Sequence, residues 1–589
     1  MLITAFSTGF PQAFINHWKK QVDLTWPDNL STEEKLVVFD KIWSSIDAEF
    51  AQFQGLNIDW DSIREKYRPE IENGVSRGRF VSIMNHLALL LQESHTFFSD
   101  SLVNWGTTPE PGIPLAYVGG WGNNSHFGAG LTPLPDSSLL VYQVVTDHPL
   151  GIEVGDIILG YNGIPWKNLY KQIIQSELPV GKFRNGLFEW GTNNKAFTHS
   201  WLMSAGLNWH LFDEIDIVKY QSTDTVHLAT DLLKDRTMEI YCTEQLEVDD
   251  IPFPDLAHGK FMSWGILKSY KIGYINIWKW YSTAEFDMSS EFALAMQTLT
   301  SNNELAGIII DHRYNTGGTF HYLRGLNEIF YNPSVFIAFL ERINPKEHEH
   351  LRGFICTGGI SYQNIRSKYD KPIAILTGPG AISAADFFVR ILKFYPKAKT
   401  FGKSTSSAFG SPVWIELDAQ GWGAKYSFMN YAFVGDEFFG GKEIDTQKDS
   451  VDLLARSILA VDENVWLTPT DVREGKDTVL GAAISWILNQ AATVQNEKNT
   501  IVSNCELYQN YPNPFNTNTA IQFSLFKSMV IELEIYNIKG EWVKTLVLDR
   551  LPAGNHVVNW SPENCATGLY FTIIKTEKQT LTTKMLYIK

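Results

Sequence analysis

The stretch Lys371-Pro-Ile-Ala-Ile-Leu-Thr377-Gly-Pro-Gly380-Ala-Ile-Ser383-Ala-Ala-Asp386-Phe-Phe-Val-Arg390-Ile-Leu392 decides how this chain is read. The apolar run Ile373 to Leu376 has the length and composition of a buried strand. Gly378, Pro379 and Gly380 break it. Phe387, Phe388, Ile391 and Leu392 then recur at helical spacing. Ser383 therefore sits on the first turn of a helix that follows a strand and a glycine turn. Backbone N–H groups left unpaired there, and the positive end of the helix, favour a developing oxyanion. Serine is also an ordinary N-cap, so this stretch alone leaves both readings open.

A second stretch has the same form. Leu305-Ala-Gly-Ile-Ile-Ile-Asp311-His312-Arg313-Tyr-Asn315-Thr-Gly317-Gly318 is an apolar strand that ends in a polar Gly-Gly turn. Neighbouring strands of one sheet bring such turns together at their C-terminal ends. Gly317 and Gly318 let the backbone approach a substrate closely. Together the segments Asp311-x-Arg313-x-Asn315-x-Gly317-Gly318, Gly380-x-x-Ser383-Ala-Ala-Asp386 and Phe401-Gly-Lys403-Ser-Thr405 resemble the tail-specific (C-terminal processing) and tricorn-type serine peptidases. The resemblance implies a crotonase-like α/β core and Ser383 as nucleophile. It implies an oxyanion hole from Gly317 or Gly318 and Ala384.

A serine hydroxyl needs a base. Tail-specific enzymes supply a lysine after the nucleophile, but Ser406-Ser407-Ala408-Phe409-Gly410 holds none, and Lys403 falls too early. Tricorn-type enzymes supply a histidine preceded by serine. Leu87-Ala-Leu-Leu-Leu-Gln-Glu93-Ser94-His95-Thr96 matches that pattern at the end of an apolar helix. Imidazole titrates near neutrality and suits the role. The resemblance thus favours His95 as base with Ser94 beside it. A supporting glutamate is expected downstream, at Glu437 or Glu443.

The whole chain has 589 residues and a formal net charge of −16, with 44% hydrophobic residues. Its length calls for several domains. Its charge argues against general nucleic-acid binding. Four cysteines show no metal-ligand spacing, and no cofactor or metal is expected. Cys505 and Cys565 flank one C-terminal module as a possible pair, with two free thiols preferred. No apolar run reaches transmembrane length, and no signal peptide is legible in Met1–Ser7.

The expected architecture is multidomain, α/β plus β. A helical region at 1–105 carries Ser94 and His95; Ser31 and Glu34 mark a capped helix within it. Residues 110–260 form a module whose Gly155-Asp156-Ile-Ile-Leu-Gly-Tyr-Asn162-Gly163 resembles the centre of a PDZ domain. Such domains bind peptide ends by strand addition, and Asn162-Gly163 also reads as a plain hairpin turn. The α/β peptidase region spans 261–495, with strands expected at Ile272–Ile277 and Leu305–Ile310 and helices at Phe286–Leu299 and Tyr322–Phe330; a linker follows at 496–505. Residues 506–589 alternate with period two between turn residues, as in a small β-sandwich. Tyr511-Pro-Asn-Pro-Phe-Asn516, Gly568-Leu-Tyr570 and Lys584-Met-Leu-Tyr-Ile-Lys589 resemble the sorting domain (type A) of type IX secretion. That resemblance implies export through periplasm and outer membrane to the surface or medium, with the type IX machinery as partner. The functional expectation is an exported serine endopeptidase acting on polypeptides. The alternatives are a non-catalytic peptide-binding scaffold on the same fold and another acyl-transfer enzyme.

Overall fold

The computed structural model describes residues 12–105, 116–117, 127–181, 195–234, 238, 240, 242–248, 251–331, 337–356, 366–417, 421–434, 442–455, 457–500, 505–577 and 580–589. They fall into two compact units, 1–491 and 492–589.

The first unit is organised around a six-stranded sheet. Its order is Met262–Leu267, Ile272–Ile277, Gly307–Asp311, Ile373–Thr377, Ala398–Gly402, Glu463–Asn464. The first pair is antiparallel and all later pairs are parallel. The three central strands are buried at every position, as expected of a parallel sheet covered on both faces. Side-chain alternation divides them cleanly. Ile275, Ile277, Ile308, Ile310, Ile373 and Ile375 face the helices Met288–Ser301 and Ala384–Leu392. Ile272, Tyr274, Ile309, Ala374 and Leu376 face the helix Thr478–Thr500 through Val479, Leu480, Ala483 and Ile487.

A seven-stranded sheet stands beside it. Phe97–Asp100 pairs with Trp422–Phe433, which pairs with Ile337–Arg342; Leu351–Cys356 and Ile444–Asp445 follow, and Gly410–Ile415 and Asp452–Leu453 also join Trp422–Phe433. The strand that follows His95 is thus part of a sheet built mainly from residues after 330. Before it come helices Thr32–Glu49, Trp60–Glu72 and Arg77–Leu90. Ser31 caps the first, and its partner Glu34 closes the capping box. The second contains Pro69 and runs to Glu72.

Residues 129–229 form a separate six-stranded sheet, ordered Ala129–Pro133, Leu139–Val144, Ile157–Tyr161, Glu214–Val218, Thr225–Ala229, with Ile164–Pro165 on Ile157–Tyr161. The helix Trp166–Gln175 packs on it through Trp166, Leu169, Tyr170, Ile173 and Ile174.

Two expectations differ from the structure. The segment 322–330 keeps only a short helix, Leu323–Leu326. The polar segment expected to open a linker at 496 is helical to Thr500, because it continues the helix that begins at Thr478, and adding residues to an existing helix is easier than starting one. Glu437 lies outside the described residues.

The second unit contains a three-stranded sheet (Cys505–Leu507, Thr519–Leu525, Gly554–Trp560) and a four-stranded one (Trp542–Leu551, Met529–Asn537, Gly568–Lys575, Thr580–Tyr587). Their inward residues, Ile521, Phe523, Ile531, Leu533, Ile535, Trp560, Ile574 and Met585 among them, make one core. Cys505 and Cys565 are free thiols.

A core of its own implies independent folding. A chain ended at Thr500 should keep the thermal transition of the first unit unchanged. In differential scanning calorimetry the full chain should show that transition plus one that the truncated chain lacks.

Candidate active site

The sheet brings the two sequence motifs together. Gly307–Asp311 and Ile373–Thr377 are adjacent and parallel, so the turns that follow them lie side by side. Ile382 N–H donates to Asn315 C=O at 3.0 Å. Gly317 and Gly318 adopt φ of 79° and 129°, values that favour glycine. A Cβ on Gly317 would stand 2.5 Å from Ile382 O and 2.6 Å from Ser383 Cβ; one on Gly318 would stand 1.9 Å from Trp280 O. Only glycine fits either position, and Gly317 is thereby pressed against Ser383.

Ser383 itself has φ 63° and ψ −121°. Such a conformation in a non-glycine residue costs about 1–3 kcal/mol and persists only where the surroundings dictate it. Here they do. The Asp386 carboxylate accepts the Ser383 N–H and those of Ser407 (2.9 Å) and Ala408 (3.2 Å). Ser406 N–H reaches Ala381 O at 2.8 Å, and Ser406 Oγ reaches Pro379 O at 2.7 Å. Burial pushes the Asp386 carboxyl up to about 6, against the hydrogen bonds that favour its charge.

The N–H groups near Ser383 are not equivalent. Gly317 N–H is taken by Asn315 Oδ1 at 2.9 Å. Among the described residues, Gly318 N–H and Ala384 N–H donate to no protein acceptor.

His95 lies after the helix Arg77–Leu90, just before the strand Phe97–Asp100. Glu93 Oε1 meets its Nδ1 at 3.0 Å, and Glu93 Oε2 accepts His95 N–H at 3.1 Å and Thr96 Oγ1–H at 2.9 Å. Glu93 is 2% exposed. Burial alone would raise its carboxyl; the His95 ring and these hydrogen bonds outweigh burial and hold it below the usual range. A carboxylate on Nδ1 fixes the tautomer and leaves Nε2 for other work. The sequence reading passed over Glu93. Its signal was an acid two residues before the histidine in a stretch that had left the helix. Ser94 is half-buried, and Glu443 is exposed.

Lys403 is engaged elsewhere. Its ammonium donates to Pro133 O at 3.2 Å and lies 5.4 Å from the Trp466 ring. Burial lowers it to about 8.

Behind the Gly-Gly turn, Arg313 is fully buried. It pairs with Asp311 Oδ2 at 2.6 Å and with both oxygens of Asp477 at 2.9 and 2.7 Å. Asp477 also accepts Leu480 N–H at 3.0 Å, at the start of the helix Thr478–Thr500. Tyr274 OH donates to Asp311. Among the described residues no cluster of His, Cys, Asp and Glu could hold a metal ion.

Parts of the chain are similar to known proteins. Residues 271–469 match peptidase family S41, residues 31–88 the tricorn protease C1 domain, and residues 509–589 the secretion system C-terminal sorting domain. A probable CtpA-like serine protease of Staphylococcus epidermidis is 26% identical over 179 residues, 30% of this chain and 33% of that protein. The match thus spans about a third of that curated relative. Among solved structures, mature CPAF complexed with lactacystin is 13% identical, with 80% of this chain and 99% of that chain covered and a TM-score of 0.50. Mature CPAF alone gives 12%, the same coverage and 0.51. This chain therefore carries a region similar to the serine peptidases of family S41 and a C-terminal region similar to a sorting domain. Its mixed α/β fold, with several sheets, is similar to that of CPAF.

Arg313 keeps Asp311 when Asp477 is replaced, so its charge stays compensated and the loss is that of hydrogen bonds to a charged group, about 1.5–3 kcal/mol. Asp477→Asn should lower the stability of the first unit by that order, read as a fall in the urea midpoint. Asp477→Ala should cost about 1 kcal/mol more, because the helix cap is lost too.

Proposed function

We propose that the chain is an exported serine endopeptidase with Ser383 as nucleophile. The observation that carries the reading is the strained Ser383, with Gly317 pressed against it and with the neighbouring Gly318 N–H and Ala384 N–H free of a protein acceptor among the described residues. In this reading Ser383 Oγ attacks the carbonyl carbon of a peptide bond, and its proton passes to His95 Nε2. The tetrahedral oxyanion is held by the N–H groups of Gly318 and Ala384. Gly317 contributes the close approach, since its own N–H belongs to Asn315. Collapse breaks the C–N bond, and the proton on His95 goes to the departing amine. Water, deprotonated by the same ring, then releases the acyl group. Glu93 holds the ring on Nδ1 and stabilises its charged form, the role expected of Glu437 or Glu443. Ser94 stands next to the base.

The substrate class is a polypeptide. The sorting-domain match supports export; in this reading the type IX machinery is the partner and the cell surface or medium, reached through periplasm and outer membrane, is the destination. Among the described residues no helix is long and apolar enough to cross a membrane.

A serine-reactive fluorophosphonate should label Ser383. Ser383→Ala and His95→Ala should each lower kcat by about 10⁴-fold while leaving the thermal transition in place. Glu93→Gln should lower kcat, because the ring loses the carboxylate that orients it through Nδ1. Unlabelled Ser383 in a folded chain would favour the peptide-binding scaffold instead. In a host with type IX secretion, the chain ended at Thr500 should remain in the periplasm; normal release would count against the sorting role.

A further inference from the structure

Three strands lie side by side just after His95: Phe97–Asp100, Trp422–Phe433 and Gly410–Ile415. One face of this ribbon is closed. Phe98, Ala424, Tyr426 and Ile415 pack into the core of the N-terminal helices. Successive side chains of a strand point to opposite faces, so Phe97, Lys425 and Trp414 stand on the other face. Phe97 pairs with Lys425, and Lys425 with Trp414. The three form one row across the sheet, and the row starts two residues from His95.

Its two ends are aromatic. The Phe97 and Trp414 rings meet edge-on with centroids 5.3 Å apart. Both lean over Gly423, where a Cβ would stand 3.7 Å from the Trp414 ring and 3.9 Å from the Phe97 ring. Trp414 is nevertheless 61% exposed, so much of this aromatic surface gains by being covered.

The middle of the row is a cation. Lys425 is half-buried, and its ammonium lies 5.8 Å from the Trp414 ring. Among the described residues it has no carboxylate or carbonyl partner. Burial lowers its pKa, and the Glu93 carboxylate acts in the opposite sense. Glu93 does not serve as its partner, because the Glu93 oxygens are taken by His95 and Thr96. An ammonium partly removed from water and left unpaired favours an anion. The rings beside it favour an anion that brings apolar atoms along. Lys425 also lies between the rings, so an occupant that covers both has chain on either side of its anionic group. That geometry suits a Glu or Asp side chain within a polypeptide rather than a chain end.

We propose that Phe97, Lys425 and Trp414 form a substrate-binding row for an acidic side chain flanked by apolar ones, with the Lys425 ammonium donating to the carboxylate and the rings covering its neighbours. The row rests on the serine-peptidase reading only in that the polypeptide is called a substrate; the binding itself does not depend on it.

The test is isothermal titration calorimetry of the full chain carrying Ser383→Ala, which keeps the probe intact. N-acetyl-Phe-Glu-Phe amide should bind saturably and about tenfold more tightly than N-acetyl-Phe-Gln-Phe amide, the worth of one hydrogen bond between charged groups. Adding Lys425→Met should erase that difference, and adding Lys425→Glu should reverse it, in chains that keep their thermal transition. Adding Trp414→Ala should weaken both peptides alike. Equal binding of the two peptides before Lys425 is changed would overturn the proposal. So would a preference for the Glu peptide that survives Lys425→Met, or no binding of either peptide by the folded chain. Failure of the fluorophosphonate to label Ser383 would remove the peptidase reading and leave these binding results as they stand.

Discussion

Arg313 is the group on which the site depends. A guanidinium with no exposure must satisfy its donors inside the protein, and it does so with the carboxylates of Asp311 and Asp477. Removing three ionised groups from water is expensive, and only close, bidentate geometry makes it tolerable. Their placement therefore fixes three elements at once: the end of the strand Gly307–Asp311, the polar turn that follows, and the start of the helix Thr478–Thr500. The backbone of Arg313 extends the constraint. A Cβ on Gly380 would lie 2.2 Å from Arg313 O, so the turn before Ser383 is laid directly against the turn before Gly317.

Strain at Ser383 is the local consequence. With Gly317 on one side and the Asn315 carbonyl holding Ile382 N–H, the chain enters the helix Ala384–Leu392 through a left-handed residue. Asp386 resists relaxation, because its carboxylate holds the Ser383 N–H together with two N–H groups from residues 407 and 408. The same hydrogen bonds that keep Ser383 strained also tie down residues 406–408, ahead of the strand Gly410–Ile415.

Much of this could be read from the chain. The strands Ile272–Ile277 and Ile373–Thr377 fall where their apolar runs place them, because a parallel strand buried on both faces has no polar register to confuse. Ser383 was legible because strand, glycine turn and helical spacing are all local patterns. What stayed hidden was non-local or masked by a stronger signal. Asp477 lies far along the chain from Arg313, and nothing near it announces a buried partner. Glu93 is only two residues from His95, but its spacing alone does not separate a carboxylate that holds a ring from a solvated acid at the end of a helix. The helix from Tyr322 to Phe330 was expected from apolar spacing; Gly325 packs against Phe292 there, and the close approach it provides serves packing rather than helix length.

The two halves of the candidate chemistry stand on different sheets, and one segment joins them. Residues 406–408 are bonded to Ala381 and Asp386 beside Ser383. Phe409 packs edge-on against Phe387 at 5.0 Å, and its carbonyl accepts from Gln52. The chain then becomes the strand Gly410–Ile415, paired with Trp422–Phe433. Residues 424 and 425 of that long strand pair with Ile415 and Trp414 on one edge and with Phe98 and Phe97 on the other. His95 stands two residues before Phe97, so its backbone position is set by the pairing of Phe97 with Lys425. A slip of one residue in that ladder would turn every side chain of the strand to the opposite face. Phe98, fully buried beneath the helical region, and Asp100, held by Arg77 at 2.7 Å, forbid the slip. The core packing of the N-terminal helices is thus what fixes where the strand begins, and with it where His95 stands.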